Sequence, residues 1–586
     1  MPTSLLRRLL AVQTRRSLPV ARRAFRPRLE SLEDRTVPST VTWISTQSGD
    51  WADGSNWSSG SQPTAADDVI IDQPGVTVTH SSGTDSVHSL TNSADLALAG
   101  GSLSVATTIE VDGTLELGGG TLNLTNKTLD GSGMVTNEPG SSWELFHSVI
   151  KTALDNQGAL QVRGGVDIQG AFSNDSGATL TVIGDGTGTV NFQILQVDNG
   201  FTNDGEIDMT GNNGFICSMG GGTLVNGSDG TIHTLIGNGG SRTINTPLDN
   251  EGTITVDGPL DVNIGHNVAD VNNGTINVAG GDASFGGFDS TSSFTNNGAF
   301  FIDAGYILSV GINDMQFTEA AGGSVTGTGT LHLNRTAATF AGDFNTNGVN
   351  LSFENAMSYN SAGTLTISAG STLTLLRDPT VNAAVENAGT IIAQGQSPTI
   401  TGTFASDAGS TIQVVGSPLS FGSTLKLTGD VTNHGLIQLS SVDGAYDASL
   451  VLSGGTLDNA TDGTIEVLAG TFGPRSITAS LVNEGTILLH TNTLALNGDY
   501  TQTSDGTFSV EIGSNDVYGR LNVSGSATLD GTLSIALVNG YTAPGGASFK
   551  ILTYSPGSLT GTFATQDDGG LFTTSYNNAD LTLTAN

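Results

Sequence analysis

Two adjacent Asp pairs, eight histidines, one cysteine and four tryptophans are residues of this chain with side chains suited to chemistry or ligand stacking. Paired carboxylates could hydrolyse glycosidic bonds if held at a controlled separation, one donating a proton while the other attacks or activates water. The adjacent pairs are Asp67-Asp68 and Asp567-Asp568, and both sit in turn-like surroundings that read as solvated turn positions. The histidines, among them His80, His147, His233, His434 and His490, are isolated in sequence with no His-x-x-x-His or similar metal spacing. His434 occupies the variable position of a repeated turn, which marks it as a surface residue. Cys217 has no partner for a disulfide and lies in the apolar run Phe215-Ile216-Cys217, so it reads as a buried structural thiol. Gly118–Gly120 and Gly220–Gly222 fall between extended runs with no helix after them, which excludes a phosphate-binding loop. This inventory predicts no catalytic residue, no cofactor and no dedicated metal ligand. Ca²⁺ would be collected only weakly, through net charge.

The elements that must position these groups are short, alternating apolar runs punctuated by glycine, of which there are 81 in 586 residues. Such alternation suits strands that send successive side chains inward and outward. An Asn-x-Gly-x-apolar unit recurs at Asn156, Asn203, Asn250, Asn272, Asn296, Asn387, Asn433 and Asn483. The intervals are 47, 47, 22, 24, 91, 46 and 50 residues, near multiples of about 23. Degenerate copies at Asn226, Asn360 and Asn459 fill gaps. Asn and Gly both tolerate the positive φ of a tight turn, so the unit should bend the chain between two runs that face one interior. An apolar residue usually stands two positions before the Asn, and another always stands four after it. Asn272 breaks the first rule, which suggests that Asn273 takes the turn there.

A period of about 23 matches one coil of a parallel β-helix, and the sequence therefore predicts an all-β, right-handed parallel β-helix. Equivalent asparagines would stack into a hydrogen-bonded turn ladder, as side-chain amides do in cross-β assemblies. Domain-sized repeats of a β-sandwich array are absent. The coils are expected over residues 80–495, roughly 18 of them, forming a rod on the order of 85 Å long at ~4.8 Å per coil.

Distinct modules are expected at both ends, because open sheet edges must be covered. Residues 41–79 form a Trp-rich cap containing Trp43, Trp51 and Trp57. The pattern Gly-Asp-Trp51…Asn-Trp57-Ser…Pro63…Asp67-Asp-Val resembles the segment that opens β-helical haemagglutinin-like and autotransporter-like surface proteins. The three indoles should plug the first coil; the alternative is that Trp51 and Trp57 offer stacking faces to a glycan. Residues 496–586 form a C-terminal β module, which over roughly residues 497–565 resembles the closing β-strand module of bacterial β-helical adhesins, without the amphipathic strands of a membrane barrel.

Residues 1–40 form a basic export segment, disordered or removed in the mature protein. Nine of the 19 Lys and Arg residues fall within the first 35 positions, against three acids, leaving ten basic and 52 acidic residues beyond, a net of −42. No apolar stretch has the length of a conventional signal sequence or of a transmembrane span. The run Leu29-Glu-Ser-Leu-Glu-Asp-Arg35-Thr-Val-Pro-Ser39 resembles the N-terminal export motif of large surface proteins of planctomycete-type bacteria. That resemblance implies a cell-surface or extracellular location. The acidic body excludes a nucleic-acid partner. Extracellular glycans or other cell-surface components are the partners expected.

The function that follows is a non-enzymatic, adhesin-like or envelope-structural surface protein. The alternative is a carbohydrate-active β-helix, lyase-like or hydrolase-like, or a glycan-binding one, whose site assembles from residues distant in sequence.

Overall fold

The computed structural model describes residues 37–184, 186, 194–212, 214–418, 422–441, 446–469 and 473–586. The basic N-terminal segment, with its arginines and most of the export motif, lies outside them. The described chain is a parallel β-helix whose coils each contribute strands to three faces. The first face is one uninterrupted parallel sheet of 24 strands, from Ser39–Thr42 to Thr565–Asp567. At ~4.8 Å between strands it spans about 110 Å.

Alternation along each strand builds the core. In Thr253–Val256, for example, Ile254 and Val256 point inward and are fully buried, while Thr253 and Thr255 face out. Equivalent residues stack from coil to coil, as in the column Leu160, Leu180, Ile207, Ile232, Ile254, Ile276 and Phe300. The residue four after each repeat asparagine is buried in all eight copies.

Parallel coils run through both boundaries drawn from sequence. Asp67–Ile71 already pairs in parallel with Ser89–Asn92, and Thr493–Leu496 pairs in parallel with Arg520–Val523. The solenoid therefore includes most of what the sequence assigned to end modules. Only the last stretch departs from it: Phe572–Tyr576 and Asp580–Ala585 form an antiparallel hairpin, and the second of these covers the free edge of Ser548–Thr553. An antiparallel cover stops the parallel ladder from recruiting another chain.

The third face is discontinuous. Its strands form a three-stranded sheet (Thr84–Val87, Ser102–Val105, Thr121–Asn123), then a nine-stranded one from Ser142–Phe146 to Ser324–Gly327. Beyond residue 344 the face is continued mainly by strands such as Thr380–Asn387 and Ala448–Asn459, which bend around the corner from the second face.

Candidate functional site

The repeat asparagines are neither turn residues nor one column. None of the eight, and none of their glycines, has positive φ. Each asparagine instead ends a strand with its side chain fully buried. The glycine is needed for close approach of coils: a β-carbon on Gly158 would lie 2.5 Å from the Glu138 carbonyl oxygen and 2.6 Å from that of Ser141.

Two ladders occupy two different corners of the rod. The first runs along the ends of second-face strands through Asn137, Asn156, Asn174, Asn203, Asn226, Asn250, Asn272 and Asn296. Each Nδ2 from Asn137 to Asn272 donates to the Oδ1 of the next coil at 2.6 or 2.7 Å. The second runs along the ends of third-face strands through Asn387, Ser406, Asn433, Asn459, Asn483 and Gln502. The interval of 91 between Asn296 and Asn387 thus conceals a move from one corner to the next. Asn360 belongs to neither ladder; it is half-exposed and donates to the Ala338 carbonyl. Asn272 keeps its rung, Asn273 is exposed, and Asp270 takes the core position two residues earlier.

The first ladder stops where the third face breaks. Asn296 pairs with Glu319, and the next coil puts Phe340 in that column. Glu319 is buried and receives the Asn296 amide on both carboxylate oxygens. Burial pushes its carboxyl up to about 7, only partly offset by that hydrogen bond. Between the last strand of the nine-stranded sheet and Phe344–Asn345 of the following coil opens a cleft of about 390 Å³, lined by Glu319, Ser324, Thr326, Phe340, Asp343 and Phe344. A buried carboxyl, an exposed one and aromatic walls suit a polyhydroxylated ligand. The other break in the third face also opens a cleft, of about 370 Å³, whose lining includes Asn123, Glu144, Phe146 and Arg163. There the Arg163 guanidinium lies over the Phe146 ring at 5.4 Å and pairs with Glu144.

The residues singled out from sequence fall as follows. Trp43, Trp51 and Trp57 are all buried and pack edge to face, at 5.0 and 4.9 Å between ring centroids. Trp57 Nε1 donates to the Trp51 carbonyl. Trp51 and Trp57 therefore have no face for a glycan, and the stacking alternative is overturned by their packing. The first aspartate pair is not a solvated turn, and of the second Asp567 is exposed at a strand end while Asp568 opens the turn that follows. Asp67 begins a strand, points inward and accepts from the Thr64 amide and hydroxyl and the Ser39 hydroxyl, while Asp68 points outward to His88. Consecutive strand residues face opposite sides, so this pair cannot act on one substrate. Asp568 is buried and accepts the amides of Gly570 and Phe572, anchoring the closing hairpin. Cys217 is buried, its thiol pushed up to about 12 by burial, although its neighbours Phe215 and Ile216 are exposed. Gly220 and Gly221 lie inside a strand.

Most of the histidines meet acids one coil away, in ways that sequence spacing hid, and His332, His490 and His233 make the densest groups. Ser309 and Glu354 flank His332 at 3.4 and 3.3 Å, too long for a strongly activated hydroxyl. His490 lies between Glu466 and Glu511, whose carboxylates outweigh burial and raise its pKa. Glu206, Asp208 and His233 offer ligand atoms that lie within 4.8 Å of one another, the one such metal-capable group among the described residues. Sequence spacing hid this group because neighbours in a solenoid are one coil apart: Asp208 and His233 are direct register partners 25 residues apart.

The fold and its internal amide columns define a capped parallel β-solenoid. No protein-family description and no curated protein matches the chain. Among solved structures, the crystal structure of a TibC-catalysed hyper-glycosylated TibA fragment aligns at 14% identity with a TM-score of 0.16, covering 67% of this chain and 99% of that one. Among the described residues, no helix is long and apolar enough to cross a membrane.

Proposed function

We propose that this protein is an exported, non-enzymatic rod of the bacterial cell surface, adhesin-like or structural in the envelope. The observation that carries the reading is the single 24-stranded sheet running the whole length of the rod. A Trp-packed coil stands at one end of the rod, and at the other an antiparallel hairpin covers the free edge of the second-face strand Ser548–Thr553. A rigid spacer about 110 Å long holds whatever it displays well away from its attachment point. The acidic body, with the N-terminal resemblance to an export motif, supports a location outside the cytoplasm and partners such as glycans or other surface components. Protease shaving of intact cells that express the tagged chain, with fractionation, tests the location. Release of the rod from the surface or its recovery in the medium is expected; full protection inside the cell would sink the proposal.

A second reading, a carbohydrate-active cleft, is favoured by the buried acid Glu319 with Asp343 in one aromatic-walled cleft. Its test is release of reducing or unsaturated ends from cell-wall and algal polysaccharides. Turnover abolished by Glu319→Gln would establish it, and turnover unchanged by that substitution would remove this cleft from consideration.

A further inference from the structure

The outer side of the third face carries a group of side chains that neither the rod nor the cleft at Glu319 uses. Glu206 and Asp208 are two apart on the strand Glu206–Gly211 and so project from the same side. His233, on the adjoining strand Thr231–Thr234, stands directly opposite Asp208. One coil further on, Asp257 binds the far ring nitrogen: His233 Nε2 lies 2.7 Å from Asp257 Oδ2.

That last contact orients the ring. When a metal binds Nδ1, a carboxylate on Nε2–H holds the imidazole in the required tautomer and direction. Here Nδ1 faces Asp208 Oδ1 at 3.9 Å. The separation is too long for a hydrogen bond, and Asp208 Oδ1 is itself buried with no hydrogen-bond partner. His233 Nδ1, a carboxylate oxygen of Asp208 and one of Glu206 all lie within 4.8 Å of one another. A cation held among them would be shared by all three. Two ligand atoms on one tetrahedral ion are roughly 3.4 Å apart for bonds of about 2.0–2.1 Å. A small rotation of the exposed Glu206 side chain closes the set. The carboxylate behind the imidazole is the outer-shell arrangement that orients metal-bound histidine.

We propose that Glu206, Asp208 and His233 form a surface site for a divalent transition cation of the Zn²⁺ class, with Asp257 as the residue positioning His233. Imidazole selects this class over Ca²⁺ and Mg²⁺, which take oxygen ligands. Three protein ligands leave a coordination position open, where a surface partner could supply a carboxylate or imidazole.

The test is calorimetric titration of the full chain with ZnCl₂, with CaCl₂ in parallel. One saturable Zn²⁺ site is expected, with affinity lowered at least tenfold by His233→Ala and by Asp208→Asn. Asp257→Asn should lower it about 10–100-fold without touching the metal directly. Ca²⁺ affinity should be the same in all four proteins. These side chains are on the outer face, so circular dichroism and melting of the metal-free variants should match the parent. The proposal is overturned if no saturable Zn²⁺ binding appears, or if His233→Ala binds as the parent does. Zn²⁺ binding lost only on His490→Ala would place the metal between Glu466 and Glu511, and overturns it equally.

Discussion

Asn296 donates its side-chain amide to both carboxylate oxygens of Glu319, at 3.1 and 2.9 Å, and so ends a column of buried amides that all donate in one direction. A carboxylate is a natural terminus for such a column, since it accepts without having to donate. The second ladder ends differently: Asn483 donates to Gln502 Oε1 at 2.8 Å, and Gln502 passes its own amide on to the Thr532 carbonyl. Glutamine fills in one column the role that glutamate fills in the other.

That comparison predicts that Glu319→Gln stabilises the protein at neutral pH. The Glu319 carboxyl titrates at about 7 in the folded chain, against an ordinary 4.5. The unfolded chain therefore releases this proton first as pH rises, and the acid's contribution, complete below 4.5, is lost as pH climbs through 7. The difference is on the order of 3 kcal/mol once both states are ionised. Thermal melts of the parent should show a higher Tm at pH 5 than at pH 8, with a smaller gap in Glu319→Gln. A parent that is more stable at pH 8, or a variant with the same slope, would contradict the assignment.

Asp270 should behave in the same sense. It stands where other copies of the repeat place an apolar residue, is fully buried, and accepts only the Leu248 amide. Burial pushes its carboxyl up to about 7, and its Oδ2 has no partner. Asp270→Asn is expected to raise Tm at pH 8 and to leave it nearly unchanged at pH 5. Combined with Glu319→Gln the gains should add, since the two carboxyls sit in different coils. Loss of stability at pH 8 would mean that the charged form is the one the fold selects.

The coil was legible because its signal repeats: Asn156, Asn203 and Asn250 recur at 47 residues, each followed four positions later by a core residue. That the asparagines stack and hydrogen-bond from coil to coil was legible as well; that each ends a strand as a buried rung, without positive φ, was not, because a turn residue and a buried rung have the same sequence neighbours. Asn137 and Asn174 were missed as rungs because their loops are longer, with Gly140 and Gly177 in place of the Asn-x-Gly glycine. Glu319 and Gln502 were missed because they are not asparagine. The broken third face and its cleft have no sequence signature, since strand pairing across coils depends on how each loop sets the next strand. Asp208 and His233 were within reach: once the period is known, residues one coil apart should be read as neighbours.

Burial of the N-terminal indoles makes a spectroscopic prediction. Trp43, Trp51, Trp57 and Trp143 are all buried, and they are every tryptophan in the chain. Native fluorescence should be blue-shifted and resist acrylamide, and added polysaccharides should leave it unchanged. Trp57→Ala removes the ring that contacts both Trp43 and Trp51, and should cost about 3–5 kcal/mol locally. Faster hydrogen exchange confined to the first coils would report that loss. Strong quenching of the native protein would put an indole back on the surface.

Asn226 tests the direction of the column. Its Oδ1 accepts from Asn203 and its Nδ2 donates to Asn250, both at 2.7 Å. Asn226→Ala leaves the Asn250 oxygen without its donor and opens a cavity, at a cost of roughly 1–3 kcal/mol for the orphaned group. Asn226→Asp is nearly isosteric but sets an acceptor against the Asn250 oxygen. At neutral pH it should therefore be worse than alanine, because two buried acceptors face one another with no proton between them. Acid reverses the order: once protonated, the introduced carboxyl has a hydroxyl that can donate to Asn250. Hydrogen exchange of the strands Thr231–Thr234 and Thr253–Val256, compared at pH 5 and pH 8, reads both effects in the coils that matter. If the aspartate variant is equally protected at the two pH values, the amides do not form a directed column.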